Sequence, residues 1–226
     1  MSRLFFSLGT TVFLTLSFHG TAAELNPAVA AWLAAQTNIQ CWSADFLQTK
    51  ALKSLTQPVT ATGHVWFAAP NKFRWELGKP PQTIAVRATN ELLVIYPRLK
   101  RVERFPLVGE QIGPWRDALA LLEAGFPRSA EELERQYSIV TQTANHDAGQ
   151  LVLQPKSPLA RRMIPQIEIA FNTRDNSLRS TELQFADGSK MRNEFKNPVL
   201  NLPIDPTQFA PPIPDDYRVV EPLKNH

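Results

Sequence analysis

The stretch from residue 63 to residue 96 constrains the fold of this chain more than any other part of the sequence. It holds four short segments, rich in aromatic or β-branched residues and separated by turn-forming residues: 63–68, 72–77, 82–88 and 91–96. In the second segment Phe73 and Trp75 alternate with Arg74 and Glu76, which places the rings on one face of a strand and the charges on the other. The stretch therefore predicts consecutive strands whose apolar face another part of the protein must cover.

Further extended segments flank this stretch. Between residues 42 and 49 the chain alternates, so that Trp42, Ala44, Phe46 and Gln48 share one face. Later extended segments are 99–105, 138–143, 150–154, 165–171, 178–185 and 189–196. Tight turns join most of them, which predicts a mainly β (α+β) fold built on one curved antiparallel sheet of about eleven strands. Twist curls a sheet of this size into a barrel or partial barrel.

Two helical segments are expected to cover the concave side of this sheet. The first follows Asn26 and Pro27, a capping residue and a first-turn proline, and its apolar positions have helical spacing: Val29, Trp32, Leu33 and Gln36. The second is an insert at about 115–135, with a stripe formed by Trp115, Ala118, Leu119 and Leu122 and a capping box formed by Ser129 and Glu132. Because neither stripe has another obvious surface to bury it, we expect these short helices to act as a plug or lid.

The N-terminus has the pattern of a secretory signal peptide. Arg3 precedes an apolar run at 4–18, and small residues follow up to Ala23. The run is too short for a membrane-spanning helix. We therefore expect cleavage after Ala23, a single mature domain at 24–226 and a periplasmic location.

The charge balance and the absence of catalytic motifs argue against several function classes. The mature chain would hold one basic residue fewer than the 24 of the whole sequence, against 21 acidic residues, so no charge excess suggests nucleic acid. Its histidines, His64, His146 and His226, have no metal-ligand spacing, and no nucleophile, phosphate-binding or dinucleotide motif is present. We expect no enzymatic activity, no cofactor and no metal. The lone Cys41 is expected to be buried and inert.

The aromatic residues are the candidate functional residues. We expect them to line an apolar cavity that accepts a lipid, with the insert as its lid. The proposed set is Trp42, Phe46, Trp66, Phe73, Trp75 and Tyr96 on the wall, and Trp115, Leu119 and Leu122 on the lid. An ordinary hydrophobic core would explain the same residues.

Four stretches of sequence carry a resemblance to a known family. They are CWSADFLQTKAL from residue 41, GHVWFAAPNKFRWELGKPPQTIAVRATNELLVIYP from residue 63, LVLQPK from residue 151 and NEFKNPVLNLPIDPTQFAPPIPDDYRVV from residue 193. In this order and spacing they resemble the periplasmic outer-membrane lipoprotein carrier family, LolA. The resemblance covers about residues 25–220.

The resemblance implies an unclosed β-barrel with a helical lid over a hydrophobic cavity. It also implies a monomeric carrier that takes triacylated lipoproteins from an inner-membrane ABC-type transporter to the outer membrane, with an outer-membrane receptor as a further partner. One residue departs from the family pattern, because Ala69 stands where a basic residue usually precedes the proline of the F-x-W strand. Arg74 is then a candidate polar latch for the lid.

Two alternatives stay open at this level. The first is a carrier for another hydrophobic cargo, such as a glycolipid or a pigment, which the departure at Ala69 favours. The second is a regulatory protein of the same fold that senses lipids or mislocalised lipoproteins and binds a membrane partner. The membrane-anchored receptor of the family is disfavoured because no cysteine stands at the cleavage point for lipidation.

Overall fold

The computed structural model describes residues 25–87, 90–107 and 129–222. The helices within these ranges are α1 (Pro27–Gln36), α2 (Ala130–Gln136) and α3 (Pro158–Met163), with 3-10 turns at Pro97–Leu99 and Pro206–Phe209. The strands are β1 (Cys41–Ala51), β2 (Val59–Ala68), β3 (Lys72–Leu77), β4 (Thr83–Arg87), β5 (Glu91–Tyr96), β6 (Arg101–Pro106), β7 (Tyr137–Ala144), β8 (Gly149–Pro155), β9 (Gln166–Phe171), β10 (Leu178–Gln184), β11 (Lys190–Leu200) and β12 (Arg218–Val220).

These strands form one sheet made of two meanders. The order across the sheet is β12-β6-β5-β4-β3-β2-β1-β11-β10-β9-β8-β7. The meander β1–β6 meets the meander β7–β11 where β1 pairs with β11 in antiparallel fashion. β12 and β7 are the two ends of the order, so the sheet is not closed, which confirms the predicted unclosed barrel. The prediction missed β12, a three-residue strand that pairs parallel to β6 within the proline-rich tail.

Alternation along β1 defines the inner face of the sheet. Trp42, Ala44, Phe46 and Gln48 are buried, as the sequence pattern predicted, whereas Asp45 between them is exposed. We call the face that carries these four buried residues the inner face, and the opposite one the outer face. Most of the buried hydrophobic residues belong to one cluster built on the inner face.

Helix α1 packs on the inner face of the second meander. The side chain of Asn26 accepts a hydrogen bond from the Ala28 amide, and Pro27 occupies the first helical position. The residues buried on α1 are the predicted stripe, Val29, Trp32, Leu33 and Gln36. The helix contacts β7, β8 and α2, so the expected plug is confirmed for this half of the sheet.

The rest of the helical prediction was met only in part. Ser129 Oγ accepts a hydrogen bond from the Glu132 amide at 3.1 Å, which begins α2 as the capping box predicted. The stripe residues Trp115, Leu119 and Leu122 lie outside the described residues. Helix α3 was not predicted, because it buries no side chain and so leaves no apolar periodicity in the sequence. In the described ranges, no helix combines the length and apolar character needed to cross a bilayer.

The C-terminal tail lies across the outer face of β4–β6. Ile213 and Tyr217 pack against Leu93, Ile95 and Val102 of the sheet. Nearby, the 3-10 turn Pro206–Phe209 contacts β3. The tail therefore wraps along the outer face of the sheet. Cys41, expected to be buried, is instead half-buried, because it is the first residue of β1 and lies off the inner-face alternation.

Candidate lipid-binding site

Four of the predicted aromatic residues meet on the inner face of β1–β3. Trp42 and Phe46 come from β1, and Phe73 and Trp75 come from β3. Their exposed fractions are 1%, 2%, 3% and 8% respectively. Strand β2 lies between the two pairs and contributes Val65 and Phe67 to the same face, because Val65 pairs with Trp75 and Phe67 pairs with Phe73. The first meander thus presents a continuous aromatic wall.

A glycine allows this wall to pack closely. Phe46 pairs with Gly63 across β1 and β2, and its ring contacts that of Trp75 with centroids 4.0 Å apart. A Cβ atom added to Gly63 would lie closer than 3.0 Å to both the Phe46 ring and the backbone oxygen of Glu76. Only a glycine lets the ring lie directly over β2 here. We call Gly63, Phe46 and Trp75 the wall stack.

A second stack with the same composition lies in the other meander. Phe171 pairs with Gly149 across β8 and β9, and a Cβ atom on Gly149 would lie closer than 3.0 Å to the Phe171 ring. That ring stacks on Trp32 of α1, with centroids 4.9 Å apart and planes 16° apart. We call Gly149, Phe171 and Trp32 the helix stack. It was not predicted, since Trp32 lies far from the other two residues in sequence.

The far end of the wall is polar. Tyr96 is half-buried and packs against the main core cluster, and its hydroxyl donates a hydrogen bond to Glu103 at 3.4 Å. Arg101 pairs with Glu103 and lies over the Tyr96 ring, with its guanidinium carbon 6.0 Å from the centroid. The apolar surface therefore ends at a charged rim beside Tyr96.

Trp66 does not belong to the wall, contrary to the prediction. It pairs with Arg74 across β2 and β3, which places both residues on the outer face. The Trp66 ring contacts His64 with centroids 4.1 Å apart, and the Arg74 guanidinium lies 5.9 Å from its centroid. The prediction grouped the aromatic residues by type, whereas strand alternation separates Trp66 from Val65 and Phe67.

Arg74 is likewise not positioned to latch a lid over the inner face. Its guanidinium contacts the Glu76 carboxylate at 2.6 and 2.7 Å and donates to the backbone oxygen of Gln208 at 3.2 Å. Gln208 belongs to the 3-10 turn of the C-terminal tail. Arg74 therefore holds the tail against β3 on the outer face.

A second polar cluster on the outer face joins β1, β2 and β11. The imidazole Nδ1 of His64 lies 2.8 Å from Asp45 Oδ1, and the Asn197 amide donates to Asp45 Oδ2 at 3.1 Å. The hydrogen bond with His64, followed by that from Asn197, lowers the pKa of Asp45 below its usual value.

Polar side chains also interrupt the inner face, in a row that the prediction overlooked. Gln48 on β1 pairs with Asn193 on β11, which pairs in turn with Thr181 on β10. All three are buried, and Gln48 Nε2 donates to Asn193 Oδ1 at 3.0 Å. The alternation of β1 did place Gln48 beside Phe46 on the inner face, which was the available signal. We call these three residues the polar row.

The described residues hold no group of three or more His, Cys, Asp or Glu side chains placed to bind a metal ion. The inner face is instead built of buried aromatic and aliphatic side chains that pack together away from water.

Comparisons with known proteins agree with this architecture. The model of the family described as outer membrane lipoprotein carrier protein LolA matches residues 37–212. An outer-membrane lipoprotein carrier protein of Chromohalobacter salexigens is 25% identical over 183 residues, covering 81% of each chain. One of Chromobacterium violaceum is 29% identical over 202 residues, covering 89% of this chain and 91% of the relative.

A similar fold occurs in a solved structure. The crystal structure of an uncharacterized conserved protein from Thermus thermophilus superimposes with a TM-score of 0.51 at 12% identity, covering 85% of this chain and 99% of that one. At this identity the likeness concerns the fold alone. Because the family model spans most of the sequence, from the end of α1 into the C-terminal tail, the chain belongs to the outer membrane lipoprotein carrier protein LolA family.

Proposed function

We propose that this protein is a periplasmic carrier that shields the acyl chains of lipoproteins on its inner face while they travel from the inner to the outer membrane. The observation that carries the proposal is the continuous aromatic wall formed by Trp42, Phe46, Phe73 and Trp75 in a chain of the carrier family. Tyr96 marks the polar end of this wall.

Exposing the acyl chains of a lipoprotein to water has a large free-energy cost. A 16-carbon acyl chain has about 14 methylene groups, and each costs about 0.8 kcal/mol in water, so one exposed chain costs on the order of 11 kcal/mol. An apolar inner face offsets this cost by excluding water and needs no reacting group. We therefore propose a non-enzymatic function without a cofactor.

The partners follow from the same proposal. Residues 1–23 direct secretion, an inner-membrane ABC-type transporter loads the cargo with its own ATP, and an outer-membrane receptor accepts it from a monomeric carrier. The stripe of Trp115, Leu119 and Leu122 serves as a lid over the bound chains, as its helical spacing suggests.

A second cargo class is favoured by one residue. Ala69, at the start of the turn between β2 and β3, replaces the basic residue expected from the family resemblance. A carrier without that charge suits a glycolipid or a pigment as well as a lipoprotein. A sensor of mislocalised lipoproteins that binds a membrane partner is the remaining alternative.

Native mass spectrometry of protein recovered from the periplasm tests these alternatives. We expect a mature chain that begins at Glu24 and carries an acylated lipoprotein. A bound glycolipid or pigment would replace the lipoprotein proposal with the second cargo class. A chain that retains Met1, or one that never carries an acylated species when lipoproteins are co-expressed, would contradict the proposal.

A further inference from the structure

The polar row is unusual because it is buried within an otherwise apolar face. Asn193 has no exposed surface, and Thr181 and Gln48 are 2% and 6% exposed. The residues that flank Asn193 on its own strand, Met191 and Phe195, both pack against the main hydrophobic cluster. The row thus crosses the seam between the two meanders with apolar side chains on either side.

The hydrogen bonds of the polar row do not include the Asn193 side-chain amide group. Gln48 Nε2 donates a hydrogen bond to Asn193 Oδ1. The Asn193 Nδ2 group therefore points away from Gln48. Within the described residues, Asn193 Nδ2 is buried and has no hydrogen-bond partner. A buried donor without an acceptor destabilises a protein, so native structures seldom keep one unless another group supplies the acceptor.

Apolar ligands differ in whether they carry a hydrogen-bond acceptor for the Asn193 amide. A hydrocarbon chain offers no hydrogen-bond acceptor, and therefore gains nothing from the amide. An acyl chain joined through an ester or amide bond carries a carbonyl oxygen at one end of an apolar tail. With that oxygen at Asn193 Nδ2, the tail would lie against Phe46 and Phe195, the pair that adjoins the row on β1 and β11.

We infer that Asn193, oriented by Gln48, is a specificity-determining residue that binds the carbonyl oxygen of an ester- or amide-linked acyl chain. This inference rests on the proposed carrier function and adds a chemical preference to it. The inner face then distinguishes acyl chains from alkyl chains of equal length, which hydrophobic burial alone does not do.

Two lipids that differ by a single carbonyl group provide the test. 1-Lauroylglycerol and 1-O-dodecylglycerol share the glycerol head and the twelve-carbon chain. Only the first has a carbonyl oxygen, since the second is an ether. Their affinities are measured by displacement of an apolar naphthalene dye. We expect the wild type to bind the ester about fivefold to tenfold more tightly than the ether. This is the gain in affinity that one hydrogen bond to a buried partner usually gives.

The variants assign this preference to Asn193. Asn193→Leu, and the smaller Asn193→Ala in case leucine disturbs folding, should bind both lipids equally. Thr181→Val is the matched control, because it removes a buried polar group of the same row and should keep the preference. Equal binding by the wild type, or a preference that survives in Asn193→Ala, would overturn the inference. Failure of the wild type to bind either lipid would instead overturn the proposed function.

Discussion

The wall stack and the helix stack use the same local arrangement for different purposes. In each, a phenylalanine ring lies over a glycine on the neighbouring strand and a tryptophan packs against the ring. In the wall stack the tryptophan, Trp75, belongs to the sheet, whereas in the helix stack Trp32 belongs to α1. The wall stack therefore lies within the sheet, whereas the helix stack attaches α1 to the sheet. The difference shows that α1 is part of the packing in one stack, whereas the other stack is built from the sheet alone.

The largest expected effect comes from placing a charge in the wall stack. Trp75→Arg puts an unpaired cation on the inner face, which should abolish binding of an apolar dye and lower the free energy of unfolding by about 3–5 kcal/mol. Trp66→Arg is the matched control, because the same change on the outer face should leave dye binding intact. Dye titration and urea unfolding of both variants provide the measurement. A folded Trp75→Arg protein that binds dye as well as Trp66→Arg would contradict the assignment of the wall.

Gly63→Ala should be the next most damaging change. The added methyl group would meet the backbone oxygen of Glu76 as well as the Phe46 ring, and the backbone of β3 has little room to shift. We expect a loss of about 3 kcal/mol or more in the free energy of unfolding, measured with urea. Phe46→Leu in the same chain should not restore stability, because the clash with the backbone oxygen remains. Full rescue by that second substitution would show that the ring alone requires the glycine.

Gly149→Ala should cost less and should respond differently to a second substitution. The three atoms nearest to the added methyl group all belong to the Phe171 ring, which is a side chain that can be replaced. We expect a loss of about 1–3 kcal/mol in the free energy of unfolding, again measured with urea. Part of this loss should be recovered when Phe171→Leu is added, in contrast to the pair Gly63→Ala and Phe46→Leu. Equal rescue in both stacks would remove the distinction between them.

The smallest effect concerns the outer face behind the wall stack. Because the folded-state pKa of Asp45 is depressed, its contribution to stability is complete above the unfolded value of 3.8 and is lost as the pH falls through the lower folded value. Its side chain is 56% exposed, so solvent screening limits the contribution to less than about 0.5 kcal/mol. Asp45→Asn should slightly flatten the acid limb of the stability curve below about pH 4, measured by urea unfolding across pH. If the stability curves of the wild type and Asp45→Asn coincide across pH, the bond between Asp45 and His64 does not contribute to stability.

Local patterns predicted the elements, and long-range pairing decided the site. The stripe on α1, the cap at Ser129 and the alternation of β1 were all readable within a few residues of sequence. The partner of Gln48 was not, because Asn193 lies 145 residues away and only the register of β1 on β11 brings them together. Trp66 lies apart from the other rings because strand alternation, and not residue type, decides which face a side chain occupies. Arg74 lies on the face opposite Phe73 and Trp75, as the alternation of β3 indicated, and the sequence pattern gave no sign of its partner Gln208.

The seam between β1 and β11 also has a consequence for how the protein is made. Among the strands of the described residues, the two meanders pair with each other at this seam, and the paired residues are far apart in the sequence. Closing a loop of this length has a high entropic cost and slows folding, because local contacts form long before the pairing that joins them. A chain synthesised from its N-terminus would hold β1 without its partner strand until β11 follows. Its apolar residues would stay accessible to water, and to chaperones, during that interval.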